Sequence, residues 1–163
     1  MSVTASSKGV PKTMPALTLD GLGDTIVAAA PDAILHTDRD GIIRLWNAGC
    51  ERIFGFPAAE ALGQPLDIII PENLRARHHE GHGETMRSGH TKYGSGDLLS
   101  VPALRKDGTR ISVEFCIIPF RDARGAITGL AAIMRDVTRR FDELKALRKQ
   151  LAAHAGQRDN PPS

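Results

Sequence analysis

Histidine is concentrated in one short stretch of this chain, where His78-His79-Glu80-Gly81-His82 holds three of the six histidines and His90 follows closely. A neutral imidazole is the commonest protein ligand for transition metals, and its charge changes near neutral pH. On a helix, residues four apart share a face, so His78 and His82 could hold a divalent cation between them. No third or fourth ligand accompanies them nearby, and a solvated histidine-rich face is the simpler reading. The two cysteines, Cys50 and Cys116, are far apart in sequence. They suggest neither a disulfide scaffold nor a thiolate metal site, and each reads as a small buried residue.

The histidines fall inside Glu72–Ser88, a run of good helix formers with two glycines, expected to be a helix that stops near Gly89. Before it, Ala33–Asp38 and Ile42–Asn47 read as strands joined by the hairpin signal Arg39-Asp40-Gly41. Ala48–Phe54 and Ala58–Leu62 read as short helices broken by Gly55-Phe56-Pro57 and ended at Gly63. After it, Asp97–Leu104, Arg110–Pro119 and Ile127–Asp136 read as an antiparallel meander with turns at Lys106-Asp107-Gly108 and Asp122-Ala123-Arg124-Gly125. The two-residue period of the middle strand puts Ile111, Val113, Phe115 and Ile117 on one face and Ser112, Glu114 and Cys116 on the other. One face should line a core or pocket. In Val137–Ala153 the period changes: Val137, Phe141, Leu144 and Leu151 lie near heptad spacing with Leu147 beside the seam. That helix carries an apolar stripe that needs a partner, whether the domain itself, a second copy or an output protein.

The chain has 163 residues, 41% of them apolar and 25% charged, a balance that suits one soluble domain with tails. No apolar run reaches the roughly 20 residues of a membrane span, and Met1–Leu19 lacks the apolar region of a signal peptide, so a cytoplasmic protein without a membrane partner is expected. A net charge of +2 with interspersed signs, and only 4% aromatic residues, argue against nucleic-acid binding. Residues 1–20 are expected as a flexible tail, 21–138 as the folded domain, 139–156 as a signalling or dimerisation helix and 157–163 as a disordered tail. With no kinase, cyclase or helix-turn-helix segment in view, a sensor or binding module is expected, not an enzyme.

Several ordered pieces between about Asp24 and Thr138 resemble the PAS family. They are Asp40-Gly41-Ile42-Ile43 with Trp46-Asn47, Glu51-Arg52-Ile53-Phe54-Gly55-Phe56, Gly63-Gln64 and Ile70-Pro71, then Arg105-Lys106-Asp107-Gly108-Thr109 and Met134-Arg135-Asp136-Val137-Thr138. The resemblance implies an α+β fold: a five-stranded antiparallel sheet with helices on one face, a pocket beneath the longest helix and a C-terminal amphipathic exit helix. It also implies a sensory role.

Within that family, Arg75-Ala76-Arg77-His78 after Ile70-Pro71 resembles the segment of haem-binding sensors in oxygen-sensing histidine kinases and phosphodiesterases. The resemblance implies haem b, with His78 as the axial iron ligand and the opposite position open to oxygen, carbon monoxide or nitric oxide. Phe115 and Ile117 are expected to line the pocket, with Leu98, Leu99, Ile133 and Met134 as further walls. Arg87, His90 and Lys92 are candidates to meet the haem propionates. Oxygen sensors of this type place an Arg or Met on the strand after the long helix, whereas this chain reads Tyr93-Gly94-Ser95-Gly96-Asp97-Leu98, leaving Tyr93 and Ser95 as distal donors. A charge-assisted hydrogen bond of about 1.5–3 kcal/mol is thereby missing. Signalling would run through the exit helix to a separate partner or to the second subunit of a homodimer. Two other readings stay open: a PAS module that binds another small molecule or mainly dimerises, and a small haem protein with peroxidase-like activity. Flavin photochemistry is disfavoured, because Cys50 lies in Ala48-Gly49-Cys50-Glu51 and not in the Asn-Cys-Arg-Phe-Leu context of light-sensing relatives.

Overall fold

The computed structural model describes residues 19–94 and 96–158, with side chains described for 21–94 and 96–154. Five strands form one antiparallel sheet in the order β2-β1-β5-β4-β3. They are β1 (Ala33–Asp38), β2 (Ile43–Trp46), β3 (Leu99–Leu104), β4 (Arg110–Arg121) and β5 (Ile127–Asp136). The helices are α1 (Leu19–Ala29), α2 (Ala48–Phe54), α3 (Ala58–Ala61), α4 (Glu72–Ser88) and α5 (Thr138–Arg158), with a 3-10 turn at Leu66–Ile69. The expected order of strands and helices is met. The differences are that β3 begins at Leu99, two residues late, that β4 runs on to Arg121, and that α1 precedes the sheet. Most of the tail expected over 1–20 lies outside the described residues, but its last two residues open α1. At the other end α5 extends to Arg158, so helix replaces the first two residues of the expected 157–163 tail.

Register decides which side chains share a face. Ala33, Leu35 and Thr37 of β1 pair with Met134, Ala132 and Leu130 of β5. Those three in turn pair with Phe115, Ile117 and Pro119 of β4, and Leu99, Val101 and Ala103 of β3 lie opposite Phe115, Val113 and Ile111. Directly paired residues point to the same side, so these form one inner face. Ala33, Leu35, Ile43, Ile111, Val113 and Met134 pack there with Cys50 and Phe54 of α2 into the core. Near the other end of the same face, Leu99, Ile117 and Leu130 are only half-buried.

One side chain ties three elements together at the packed end. Asn47, just before α2, accepts hydrogen bonds from Ile34 N and Cys50 N, both at 2.9 Å. Its amide donates to Val27 O at 2.9 Å and to Asp32 O at 3.1 Å, bringing α1 against the sheet. Asn47 therefore caps α2 while using its full donor and acceptor capacity in a buried position. Next to it, a Cβ on Gly49 would lie 2.1 Å from Asp32 O, so only glycine allows this approach of helix to strand.

Replacing Asn47 by Ala removes the cap and leaves four buried or half-buried backbone groups without this partner, so Asn47→Ala should lower the unfolding free energy by about 3 kcal/mol. Urea denaturation followed by circular dichroism measures this; a loss no larger than that of an exposed surface substitution would contradict the bridging role.

Candidate functional site

Helix α4 is too polar to be held by a broad apolar face, and its packed positions form a narrow stripe. Along it His78, His82 and Met86 recur at four-residue spacing, Met86 buried and both histidines half-buried. Polar contacts fix this stripe against the β1–β2 hairpin. The His82 Nε2 lies 3.0 Å from Arg39 O, and the Arg39 guanidinium donates to Met86 O at 3.3 Å and to Ile127 O at 3.0 Å. At the end of the helix, Arg121 of β4 donates to Gly89 O at 2.9 Å. Helix α4 is thus pinned beside the end of the sheet where the inner face is only half-buried.

His78 is held in an unusual state. Its Nδ1 is buried and has no hydrogen-bond partner among the described residues. Burial pushes its pKa below the ordinary 6.5, with the neighbouring His82 and His79 acting in the same direction against a smaller opposing pull from Asp67. The ring is therefore neutral at pH 7 and keeps a lone pair for coordination. The adjacent His79 turns outward: its Nε2 meets both carboxylate oxygens of Asp67, at 2.7 and 3.0 Å. The His78 and His79 rings are 5.9 Å apart, and those of His78 and His82 are 6.1 Å apart. His78 and His82 do share a face as expected, but the third group that joins His78 is Asp67 from the 3-10 turn, together with His79.

The other expected site residues divide between those on the inner face and those away from it. Phe115, Ile117, Leu99 and Met134 all lie on the inner face. Met134 is 7% exposed and belongs to the packed core, whereas Phe115 packs at its margin. Ile133 is a correction: paired with Cys116 and Ile34, it occupies the opposite face and cannot wall the same pocket as Met134. Leu98 is a second correction, since it precedes β3 and is 64% exposed. The groups proposed to meet propionates already have local partners or face solvent: Arg87 pairs with Glu84 at 2.6 Å, the His90 Nδ1 lies 2.8 Å from Ser88 O, and Lys92 is exposed. Tyr93 is 40% exposed, and Ser95 lies outside the described residues.

Two further features escaped the sequence reading. On the outer face the His36 ring stands edge-on to Phe120 at 4.9 Å, over Gly129, where a Cβ would come within 2.6 Å of the His36 Nε2. The second is the joint between sheet and exit helix. There Asp136 accepts from Thr138 N at 2.9 Å, from Thr138 Oγ1 at 2.5 Å and from Arg105 at 2.8 Å. The backbone of Ser112 meets the same joint, accepting from Val137 N and donating to Thr138 Oγ1. The Arg105-Lys106-Asp107 and Arg135-Asp136-Val137-Thr138 segments were visible in the sequence, but not their contact.

The family model described as the PAS fold matches residues 21–137. Sensor protein FixL of Bradyrhizobium diazoefficiens is 33% identical over 93 residues, which are 57% of this chain and 18% of FixL. Oxygen sensor protein DosP of Escherichia coli is 25% identical over 121 residues, 74% of this chain and 15% of DosP. The chain thus spans less than a fifth of either relative. Among solved structures, a PAS domain from Colwellia psychrerythraea superposes with a TM-score of 0.63 at 24% identity, covering 75% of this chain and 99% of that one. An RNA-binding Light-Oxygen-Voltage receptor superposes with a TM-score of 0.66 at 23% identity, covering 98% of this chain and 44% of that one.

Because burial lowers the His78 pKa, an unfolded chain takes up this proton before the folded one as pH falls. The stability of the neutral buried ring is fully present above about pH 6.5 and is lost as pH drops through that value toward the folded pKa. Between about pH 7.5 and pH 5.5, wild-type protein should lose more unfolding free energy than His78→Gln does. Equal losses in parallel urea titrations would show that the imidazole is not held neutral by burial.

Proposed function

This chain belongs to the PAS family, and from that premise we propose that it is a haem-binding sensor domain for a diatomic gas or a redox state. The observation that carries the proposal is the buried, unpartnered Nδ1 of His78 on the inward stripe of α4. An orphaned polar atom costs about 1–3 kcal/mol, a cost that a function can justify. The inner face of the sheet offers apolar groups suited to a flat hydrophobic cofactor: Leu99, Phe115 and Ile117 point to that face and are only half-buried. The likeness to an oxygen sensor protein supports the same reading.

Haem, held by His78, would supply an iron atom able to bind a diatomic gas. What the chain contributes is the rest. His78 offers a neutral ring, His82 and Arg39 hold the helix that carries it, and the inner face of the sheet excludes water. Toward a bound gas β3 would offer no charge, since its half-buried inner-face residue Leu99 is apolar and the strand carries no cation. Selection of oxygen by a cationic hydrogen bond is therefore not built in, and carbon monoxide or nitric oxide suits this pocket as well.

The signal leaves through β5. Its inner-face residues Leu130, Ala132 and Met134 pair with the pocket strand β4, and two residues further on the Asp136–Thr138–Arg105 joint begins α5. A change in the pocket that shifts β5 would re-aim α5, whose Phe141, Leu144, Leu147 and Leu151 are 45–71% exposed. A stripe at this spacing fits the same stripe of a second copy, so the working unit is a homodimer joined along α5, passing its state to a separate signalling partner.

Protein prepared with haem supplied should show a Soret band that His78→Ala abolishes or shifts and His79→Ala leaves in place. Absence of the band in wild type, or equal behaviour of the two variants, would remove the haem assignment in favour of a module for another small molecule. Independently, the double variant Leu144→Lys, Leu151→Lys should convert a dimer to a monomer in light-scattering chromatography without changing the Soret band; an unchanged mass would place the dimer contact elsewhere or deny it.

A further inference from the structure

We propose that Asp67, His78 and His79 form a binding site for a divalent transition cation of the zinc class, exclusive of haem because both draw on His78. One ligand atom from each of the three residues lies within 4.8 Å of the others, with the 3-10 turn Leu66–Ile69 supplying the carboxylate and α4 the two imidazoles. Donors around tetrahedral zinc at about 2.0–2.1 Å stand about 3.4 Å apart, so the three need to adjust by roughly an ångström to close on an ion. The side chains can do this. His79 is 59% exposed, and its ring is held only by the Asp67 carboxylate, which the ion would bridge in place of a proton. His78 contributes an imidazole whose buried Nδ1 has no hydrogen-bond partner among the described residues.

The donor set decides the ion class. Two imidazoles and one carboxylate suit zinc and its late transition-metal neighbours, and suit calcium or magnesium poorly. Three protein ligands leave a fourth position for water, the arrangement of an exchangeable site and not of a closed structural one. His82 does not fill it, since its Nε2 is engaged with Arg39 O. A cation here would clamp the 3-10 turn to α4 and hold the His78 ring away from any other metal.

The proposal does not rest on the haem reading. Its test is isothermal titration of the cofactor-free chain with zinc chloride, in parallel with a haem titration read at the Soret band. Asp67→Ala and His79→Ala should each weaken zinc binding by about 10-fold or more, whereas His90→Ala, at an exposed histidine with only a local partner, should not. His79 is exposed and Asp67 half-buried, and circular dichroism verifies that the variants fold. The same two variants should take up haem as wild type does, and zinc-loaded wild type should take it up more weakly. His78→Ala should lose both ligands. Zinc affinities for Asp67→Ala and His79→Ala within about twofold of wild type, or no zinc binding by wild type, would overturn the site. A chain with the zinc pattern and no Soret band refutes the haem reading and keeps this one.

Discussion

The position of β5 between β1 and β4 is the constraint on which the rest of this structure depends. Every residue from Gly129 to Met134 is paired on both sides, so the strand can neither slide nor rotate without breaking two ladders. Side-chain direction alternates at every residue, and a slip of one position would send Met134 to the outer face and Ile133 into the core. The same double pairing carries a mechanical consequence. A strand fixed along both edges passes a displacement along its axis, to Asp136 and the start of α5, more readily than it bends.

Helix α4 shows the opposite economy. Its sequence is mostly polar, with one buried methionine, and it is tied to the β1–β2 hairpin and the sheet by a few hydrogen bonds through His82, Arg39 and Arg121. Such a helix is held at points, not over an area. It can carry a ring whose Nδ1 is unsatisfied because the remaining contacts over-determine its place. The inner-face apolar residues Leu99, Ile117 and Leu130 are then left only half-covered, whereas those beneath α2 are sealed by Phe54 and Cys50. The inner face is therefore sealed at one end and only partly covered at the other.

The strands and hairpins were legible because their signals are local: alternation in Arg110–Pro119, and Asp-Gly or Arg-Gly turns whose glycines Gly41, Gly108 and Gly125 adopt positive φ. What was not legible depends on partners distant in sequence. Ile127–Met134 is apolar without alternation, so nothing in it distinguishes the direction of Ile133 from that of Met134; only pairing with Cys116 and Phe115 does. Helix α1 contains two glycines and has a weak local signal, and its docking depends on Asn47, which lies beyond β1 and β2. Among the histidines, spacing pointed to His82, but the nearest carboxylate is Asp67, brought in by a turn of another element. Helical periodicity finds neighbours on one helix and is blind to neighbours across two.

The joint at the end of β5 converts this geometry into direction. Asp136 is pushed below the ordinary carboxylate range: hydrogen bonds from Thr138 and Arg105, together with the charge of Arg105, outweigh the opposing cost of burial. It therefore remains ionised across the neutral range and keeps its acceptors committed to the first residue of α5. Ser112 adds two hydrogen bonds from the backbone of β4, so β4 and β5 meet at the base of the helix. The donor and acceptor positions at Thr138 thus depend on the placement of β4 and β5 together. The apolar stripe of α5 lies beyond that joint and is most exposed at Leu151, farthest from the sheet along the helix.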